Sequence, residues 1–247
     1  MFPAGGTEAV QYAADFLAVQ NIPLTDHPTP EVTHLLLDVP SFGPDGSLRA
    51  GGRIEALLER LPGDITVAGG NLTHPALAGC RTLDLLQDAR YLAKNAAITA
   101  DCALGTASPL LKTAFADTPT LVIGWGRIGK CLAALLRSIG TPVTVAARKE
   151  CDRAMLESLG YEAADPAALG PLLPRFRLIF NTAPELVLEE RLVRLCRSCL
   201  KIDLASKPGI AGTDVVWAKG LPGLCAPESS GKLIADTFLR LLKEGAS

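Results

Sequence analysis

Several protein classes are excluded by what the sequence lacks. No apolar run approaches the roughly 20 residues needed to cross a bilayer, and the opening "MFPAGGTEAV" has no basic region ahead of an apolar stretch. Neither a membrane partner nor export is expected. Charge is balanced: 24 Lys and Arg against 26 Asp and Glu leave a net charge of −2, with no basic stripe to follow a nucleic-acid backbone. Histidine is scarce, with only His27, His34 and His74. The chain after His74 therefore has no imidazole for acid–base work or metal ligation. The seven cysteines are odd in number and lack a small-scaffold spacing, so reduced thiols in a cytoplasmic compartment are expected rather than a disulfide framework. "LCRSCL" contains one C-x-x-C, Cys196 and Cys199, but a zinc site needs two further ligands nearby. A structural role is favoured for this pair over a redox or metal role, and Cys102 and Cys131 are read the same way.

What is there is an ordinary globular composition. The 247 residues, 48% hydrophobic and 20% charged, suffice for one large core or two modest ones. To about residue 95 the pattern alternates: "TEAVQYAADFLAVQ" is amphipathic, "THLLLDVPS" is a short apolar strand, "GRIEALLERLPG" has helical period and "DITVAGGN" reads as another strand. Gly5 and Gly6 follow almost no strand and do not make a nucleotide loop by themselves. From Thr120 the chain becomes regular βαβ: strands in "TLVIGW", "PVTVAAR", "RLIFNTA" and "LKIDLAS" alternate with helical segments. That alternation predicts a doubly wound parallel sheet. The expected fold is α/β with two domains: a smaller flavodoxin-like α/β unit over 1–97 and a Rossmann-type domain over 117–226. A hinge helix over 98–116 connects them, and a C-terminal helix over 227–247 packs back toward the first domain.

"LVIGWGRIGK" supplies the first chemical signal. A lone G-x-G-x-x-G is weak, but Gly124, Gly126 and Gly129 follow a strand directly and open a helix inside a βαβ unit. In that setting the first glycine permits a tight turn, the second lets backbone amides approach a pyrophosphate, and the third lets the helix sit close to the strand. Trp125, Arg127 and Ile128 fill the turn and join the candidate cofactor residues. A packing turn without a ligand is the weaker reading.

The second signal is a missing acid. An NAD site usually ends its second strand on Asp or Glu, roughly 20 residues after the glycines, to accept bonds from the ribose hydroxyls. Here "VTVAARK" ends on Ala147, Arg148 and Lys149. Alanine removes a repulsion toward a 2′-phosphate, and Arg148 can donate charge-assisted bonds to it, with Lys149 adding a second cation. NADP is therefore the expected cofactor and NAD the less favoured one; the bland reading makes Arg148 and Lys149 a solvated face. Ligands of such sheets bind beyond the carboxyl ends of the strands, which brings in "FNTAP" (Asn181, Thr182, Ala183, Pro184) and "IDLASKPG" (Asp203, Ser206, Lys207). Asn181 and Asp203 are read evenly as ligand contacts or as caps of local turns.

Taken together, "LVIGWGRIGK", "VTVAARK", "FNTAPELVL", "IDLASKPG", "GTD" and "GLPGLCAPESSGKLIADTF" resemble the dipicolinate synthase A subunit family in order and spacing. The resemblance is strong from about residue 95 onward and weak before it. It implies a sporulation-linked oxidoreductase that oxidises dihydrodipicolinate, a cyclic dicarboxylate, to its aromatic product in dipicolinate biosynthesis. The partner it implies is the flavoprotein-like B subunit of the same synthase, and a homo-oligomer is expected. Lys207 and Ser206 are then candidates for the substrate carboxylates, with Asn181 and Thr182 near the nicotinamide. Asp101 is a candidate base or orienting group, or else a solvated helix acid. Three departures stand out. The opening strand and full glycine loop of the family are not evident, so the first domain reads as shortened. Ile98 and Asp101 replace the Pro and Glu of the family's Asn-x-x-Pro-Thr-x-Glu-Gly stretch, and residues are missing between "TDVVWAK" and "GLPG". These bear on the substrate more than on the cofactor. D-2-hydroxyacid dehydrogenases share the two-domain plan but need a histidine after the Rossmann strands, which this chain lacks. A non-catalytic or regulatory NADP-binding subunit, or a Rossmann oxidoreductase of another substrate, stays open as the alternative.

Overall fold

The structure, a computed structural model, describes residues 1–245. It forms two compact units, one of residues 1–95 together with the segment from Pro222 onward, the other Ala96–Leu221. These divisions fall within helices, and the expected boundaries at 97 and 226 differ from them.

The first unit contains β1 (Phe2–Pro3), α1 (Glu8–Val19), β2 (His34–Leu36), α2 (Ile54–Leu58), β3 (Thr66–Gly69) and β4 (Arg81–Asp84), followed by the start of α3 (Ala89–Ala107). Its four strands are all parallel and follow chain order β1-β2-β3-β4. The opening strand that the sequence pattern lacks is thus present, as a two-residue piece pairing Phe2 with Leu35 and Pro3 with Leu36. Leu35, Leu37, Ile54, Ile65 and Val67 form the core of this sheet layer. The connecting helix begins at Ala89, well before residue 98, because the Asp88 carboxylate accepts the Tyr91 amide at 2.6 Å and so caps its first turn. The helix ends at Ala107 ahead of Pro109, in place of running on to 116.

The second unit contains β5 (Thr120–Ile123), α4 (Arg127–Ser138), β6 (Val143–Ala146), α5 (Glu150–Ser158), β7 (Glu162–Ala164), β8 (Leu178–Asn181), α6 (Glu190–Val193), β9 (Leu200–Asp203) and β10 (Val215–Trp217). All its strands are parallel, in the order β7-β6-β5-β8-β9-β10. Renumbered within the unit this is 3-2-1-4-5-6, the Rossmann arrangement, and the chain reverses its direction of winding between β5 and β8. Every residue of β5 and β8 is buried, as expected for central strands covered on both faces. The two-domain α/β fold with a C-terminal Rossmann sheet is therefore the one read from the sequence.

The chain then forms α7 (Leu221–Cys225) and α8 (Pro227–Glu244). α8 packs on α1 of the first unit. Gly231 lets it approach closely, since a side chain there would come within 2.6 Å of the Ala9 carbonyl oxygen.

The C-x-x-C segment wraps a buried cation. Lys201, fully buried in β9, lies 2.8 Å from the Asp214 carboxylate and donates to the carbonyls of Cys196 (3.3 Å) and Cys199 (2.8 Å). Both thiols are buried, and burial, with the neighbouring Cys196, pushes the Cys199 thiol up to about 12. Among the described residues no cluster of His, Cys, Asp or Glu is placed to hold a metal, and no helix is long and apolar enough to cross a membrane.

Two outcomes are expected. In a native thiol titration the exposed Cys151 and Cys225 react fast, while Cys196 and Cys199 react only after unfolding; fast labelling of either would contradict the packing. The hydrogen bond from Lys201 holds the Asp214 carboxyl below its usual range. Its stabilisation is therefore present above the unfolded-state pKa and disappears as pH falls through the depressed folded one. Because the Asp214 carboxylate is half exposed and solvent-screened, Asp214→Asn should lower the unfolding free energy by about 1 kcal/mol at neutral pH and flatten this acid limb in denaturant titrations.

Candidate functional site

The reversal between β5 and β8 opens a cavity of about 310 Å³ at the carboxyl ends of the strands. Its floor is the turn from β5 into α4. Gly124 adopts φ +104°, and a side chain on it would collide with Thr182 Oγ1. Gly129 lies so close beneath the turn that a Cβ would strike the Gly124 carbonyl oxygen. Thr182 closes the arrangement by donating its amide (2.8 Å) and its hydroxyl (2.9 Å) to the Ile123 carbonyl. Two of the three glycines are thus required by packing within the protein.

Gly126 is different. It stands at the N-terminus of α4 with φ −79°, and no atom lies within 4 Å of where its Cβ would be. Nothing in the fold itself asks for glycine there, while a ligand backed onto the helix N-terminus does. Trp125 lines the same cavity, edge-on to Tyr161 with Lys130 beside its ring, whereas Arg127, Ile128 and Gly129 continue into α4 behind it.

The opposite wall is the end of β6. Ala147 is buried, so no carboxylate faces the cavity from that position, and Arg148 and Lys149 project as exposed side chains on its rim. Arg153 fixes this turn from below by donating to the carbonyls of Ala147 (2.9 Å) and Arg148 (2.7 Å) and pairing with Asp165 at 3.3 Å. Arg148 itself reaches across to Glu185, 2.7 Å away, on the loop after β8. Thr182, Ala183 and Pro184 line the cavity on that side with Glu185.

Asn181 and Asp203 lie beneath the cavity and do not line it. Both are fully or almost fully buried. Asp203 accepts the amides of Ala205 (3.1 Å), Gly209 (2.6 Å) and Ile210 (3.2 Å) and the Asn181 side-chain amide (2.8 Å). The Asn181 side chain in turn clamps Ala183, accepting the Ala183 amide on its Oδ1 (3.1 Å) and donating its Nδ2 to the Ala183 carbonyl (2.9 Å). Of their two sequence readings, turn-holding is the one this geometry fits, because four donors already saturate Asp203. Ser206 and Lys207 are exposed on the loop after β9, and Asp101 is exposed on α3; none of the three lines the cavity. The structure therefore gathers the glycine turn, the strand-end cations and the loop after β8, and does not bring the candidate catalytic residues among them. Glu185 and Asp152, which also line the cavity, were not singled out from the sequence.

The first unit holds a contrasting turn. At Gly5–Gly6 the α1 N-terminus is occupied by the chain's own buried Asp38, which accepts the amides of Gly6 (2.9 Å) and Thr7 (3.1 Å) and the Thr7 hydroxyl (2.6 Å). That helix start is thus satisfied from within the chain. The sheet order of that unit also lacks a reversal.

Fold and cavity define the class: a Rossmann-type α/β protein with a crevice at the reversal point of its second sheet. No family model matches the chain. A sequence relative is the dipicolinate synthase A subunit from Bacillus subtilis (strain 168), 30% identical over 134 residues, which are 50% of this chain and 44% of that protein. The sequence match thus spans less than half of the relative's length. A crystal structure of the dipicolinate synthase A subunit from Bacillus halodurans superposes with a TM-score of 0.81 at 20% identity, covering 98% of this chain and 96% of that one. A transhydrogenase from Sinorhizobium meliloti follows at 0.74 and 14% identity, covering 94% and 80%. The resemblance to the dipicolinate synthase A subunit read from the motifs is supported by both sequence and fold.

The glycines separate fold from ligand. Gly129→Ala should cost about 1–3 kcal/mol of stability through overpacking. Gly126→Ala, at the N-cap of α4, should cost less than about 1 kcal/mol of stability and weaken dinucleotide binding by about tenfold or more, ~1.4 kcal/mol. Calorimetric titration alongside thermal melts distinguishes the two, and a Gly126→Ala variant that binds normally would contradict the site.

Proposed function

We propose that the chain is an NADP-dependent oxidoreductase acting on dihydrodipicolinate or a closely related cyclic dicarboxylate. The observation that carries the cofactor half is the combination of an open, side-chain-free position at Gly126 with Ala147, Arg148 and Lys149 at the strand end. A nicotinamide cofactor fits these residues: α4 presents its N-terminus to a pyrophosphate, and Arg148 and Lys149 suit a 2′-phosphate. When bound, such a cofactor supplies hydride acceptance. The substrate half rests on the relationship to the dipicolinate synthase A subunit.

The chain's own residues would do the rest. Aromatisation of a dihydropyridine releases a proton as well as a hydride, and it needs orientation and anion binding more than a strong acid–base pair. Lys207 and Ser206 are the proposed carboxylate-binding residues, and Asp101 the proposed base. A homo-oligomeric state, a cytoplasmic location, a sporulation role and partnership with a flavoprotein-like B subunit are proposed on the same relationship.

One observation favours a second reading, an NADP-binding subunit without turnover of its own. The glycine turn and the strand-end cations line the cavity, yet Asp101, Ser206 and Lys207 are exposed and outside it. Turnover with fresh dihydrodipicolinate, followed by NADPH absorbance with and without the candidate partner, separates the two. NADPH formation supports the enzyme, whereas tight NADP binding without turnover supports the binding subunit.

For the cofactor, Arg148→Ala should weaken NADP binding about tenfold or more, from a lost charge-assisted bond of roughly 1.5–3 kcal/mol. NAD binding should change far less. Equal losses for both dinucleotides would contradict the assignment.

A further inference from the structure

Arg148 is not waiting free on the cavity rim. Its guanidinium is engaged, 2.7 Å from Glu185, by a contact that joins the end of β6 to the loop after β8 over 37 positions of sequence. Both partners line the cavity, so the bridge spans the rim on which the adenosine ribose of a dinucleotide would lie. Glu185 is held there by its backbone. Gly209 packs against its carbonyl so tightly that a Cβ on Gly209 would come within 2.6 Å of it, and Gly209 is itself bonded to the buried Asp203. Asn181 clamps Ala183 two residues earlier, and the Val187 amide donates to the Gly209 carbonyl at 2.8 Å two residues later. The two side chains, by contrast, are 76% and 59% exposed.

We propose that Glu185 sets the cofactor preference of the crevice by competing with a 2′-phosphate for Arg148. This rests on the dinucleotide reading given above and deepens it. A phosphate arriving at Arg148 replaces one anion by another, and Glu185 is left beside it as a like charge. A ribose bearing a free 2′-hydroxyl meets no such penalty, and the Glu185 carboxylate can accept its hydrogen bond. The acid absent from the end of β6 is thus supplied from across the crevice, on a side chain that can swing away. The site is then less selective for NADP than the strand-end cations alone would make it.

The bridge is solvent-exposed, and such pairs are worth up to about 1 kcal/mol; its removal should act at about 0.4–1 kcal/mol, or roughly two- to fivefold. Glu185→Gln keeps the size of the side chain and removes its charge. Calorimetric titration with NADP and with NAD should give a ratio of affinities shifted about two- to fivefold toward NADP, with Tm unchanged. The control is Glu189→Gln, an exposed carboxylate on the same segment that does not line the cavity, for which the ratio should stay where it is. An unchanged ratio in Glu185→Gln overturns the proposal while the dinucleotide site stands, provided the wild type still binds. An equal shift in Glu189→Gln also overturns it, because the effect is then one of bulk charge. If the folded wild type binds neither NADP nor NAD, the dinucleotide reading falls and this inference falls with it.

Discussion

A buried carboxylate with its hydrogen bonds fully answered organises the ligand end of the second unit. Asp203 takes three backbone amides and one side-chain amide, and this ties the loop after β9 to the loop after β8. Removing such an acceptor would leave several buried donors unpaired, each costing about 1–3 kcal/mol. The layer it fixes carries Ala183, Pro184 and Glu185, which form one wall of the cavity. The position of the wall, and therefore the reach of Glu185 to Arg148, follows from a group that touches no ligand.

The two glycine-bearing turns of the chain show how similar local chemistry is put to different ends. In the first unit a helix N-terminus meets a strand-end carboxylate of its own, Asp38, and is satisfied internally. In the second, the corresponding strand ends on Ala147, and the N-terminus of α4 opens onto the cavity beside Gly126. Partial positive charge at a helix start attracts whatever anion can reach it. Whether the chain provides that anion or leaves the place open decides which unit offers a helix start to a ligand.

Much of this was legible beforehand, for reasons that are local. Strands such as Thr120–Ile123 and Leu200–Asp203 are apolar runs bounded by turns, and the glycine motif needs only its neighbours to be recognised. The edge strands β4, β7 and β10 were not: β4 and β7 are short and partly polar, and β10 is apolar but only three residues long, so none shows a period to detect. β1 was hidden by its two-residue length and exists through its pairing with β2. The start of α3 depended on the Asp88 cap, and the Pro interruption marked its end instead. At the site, Ala147 and Arg148 could be read from spacing. The burial of Asn181 and Asp203 could not, since their contact arises from pairing between β8 and β9. Glu185 carries no sequence signal at all; only the folded crevice brings it to Arg148.

The most direct measurement is a crystal structure of the chain with NADP bound. The account expects the pyrophosphate against Gly126 at the start of α4, the 2′-phosphate on Arg148, and Glu185 released from it. A nucleotide seated elsewhere, or a 2′-phosphate turned away while the Arg148–Glu185 contact stays closed, would contradict it.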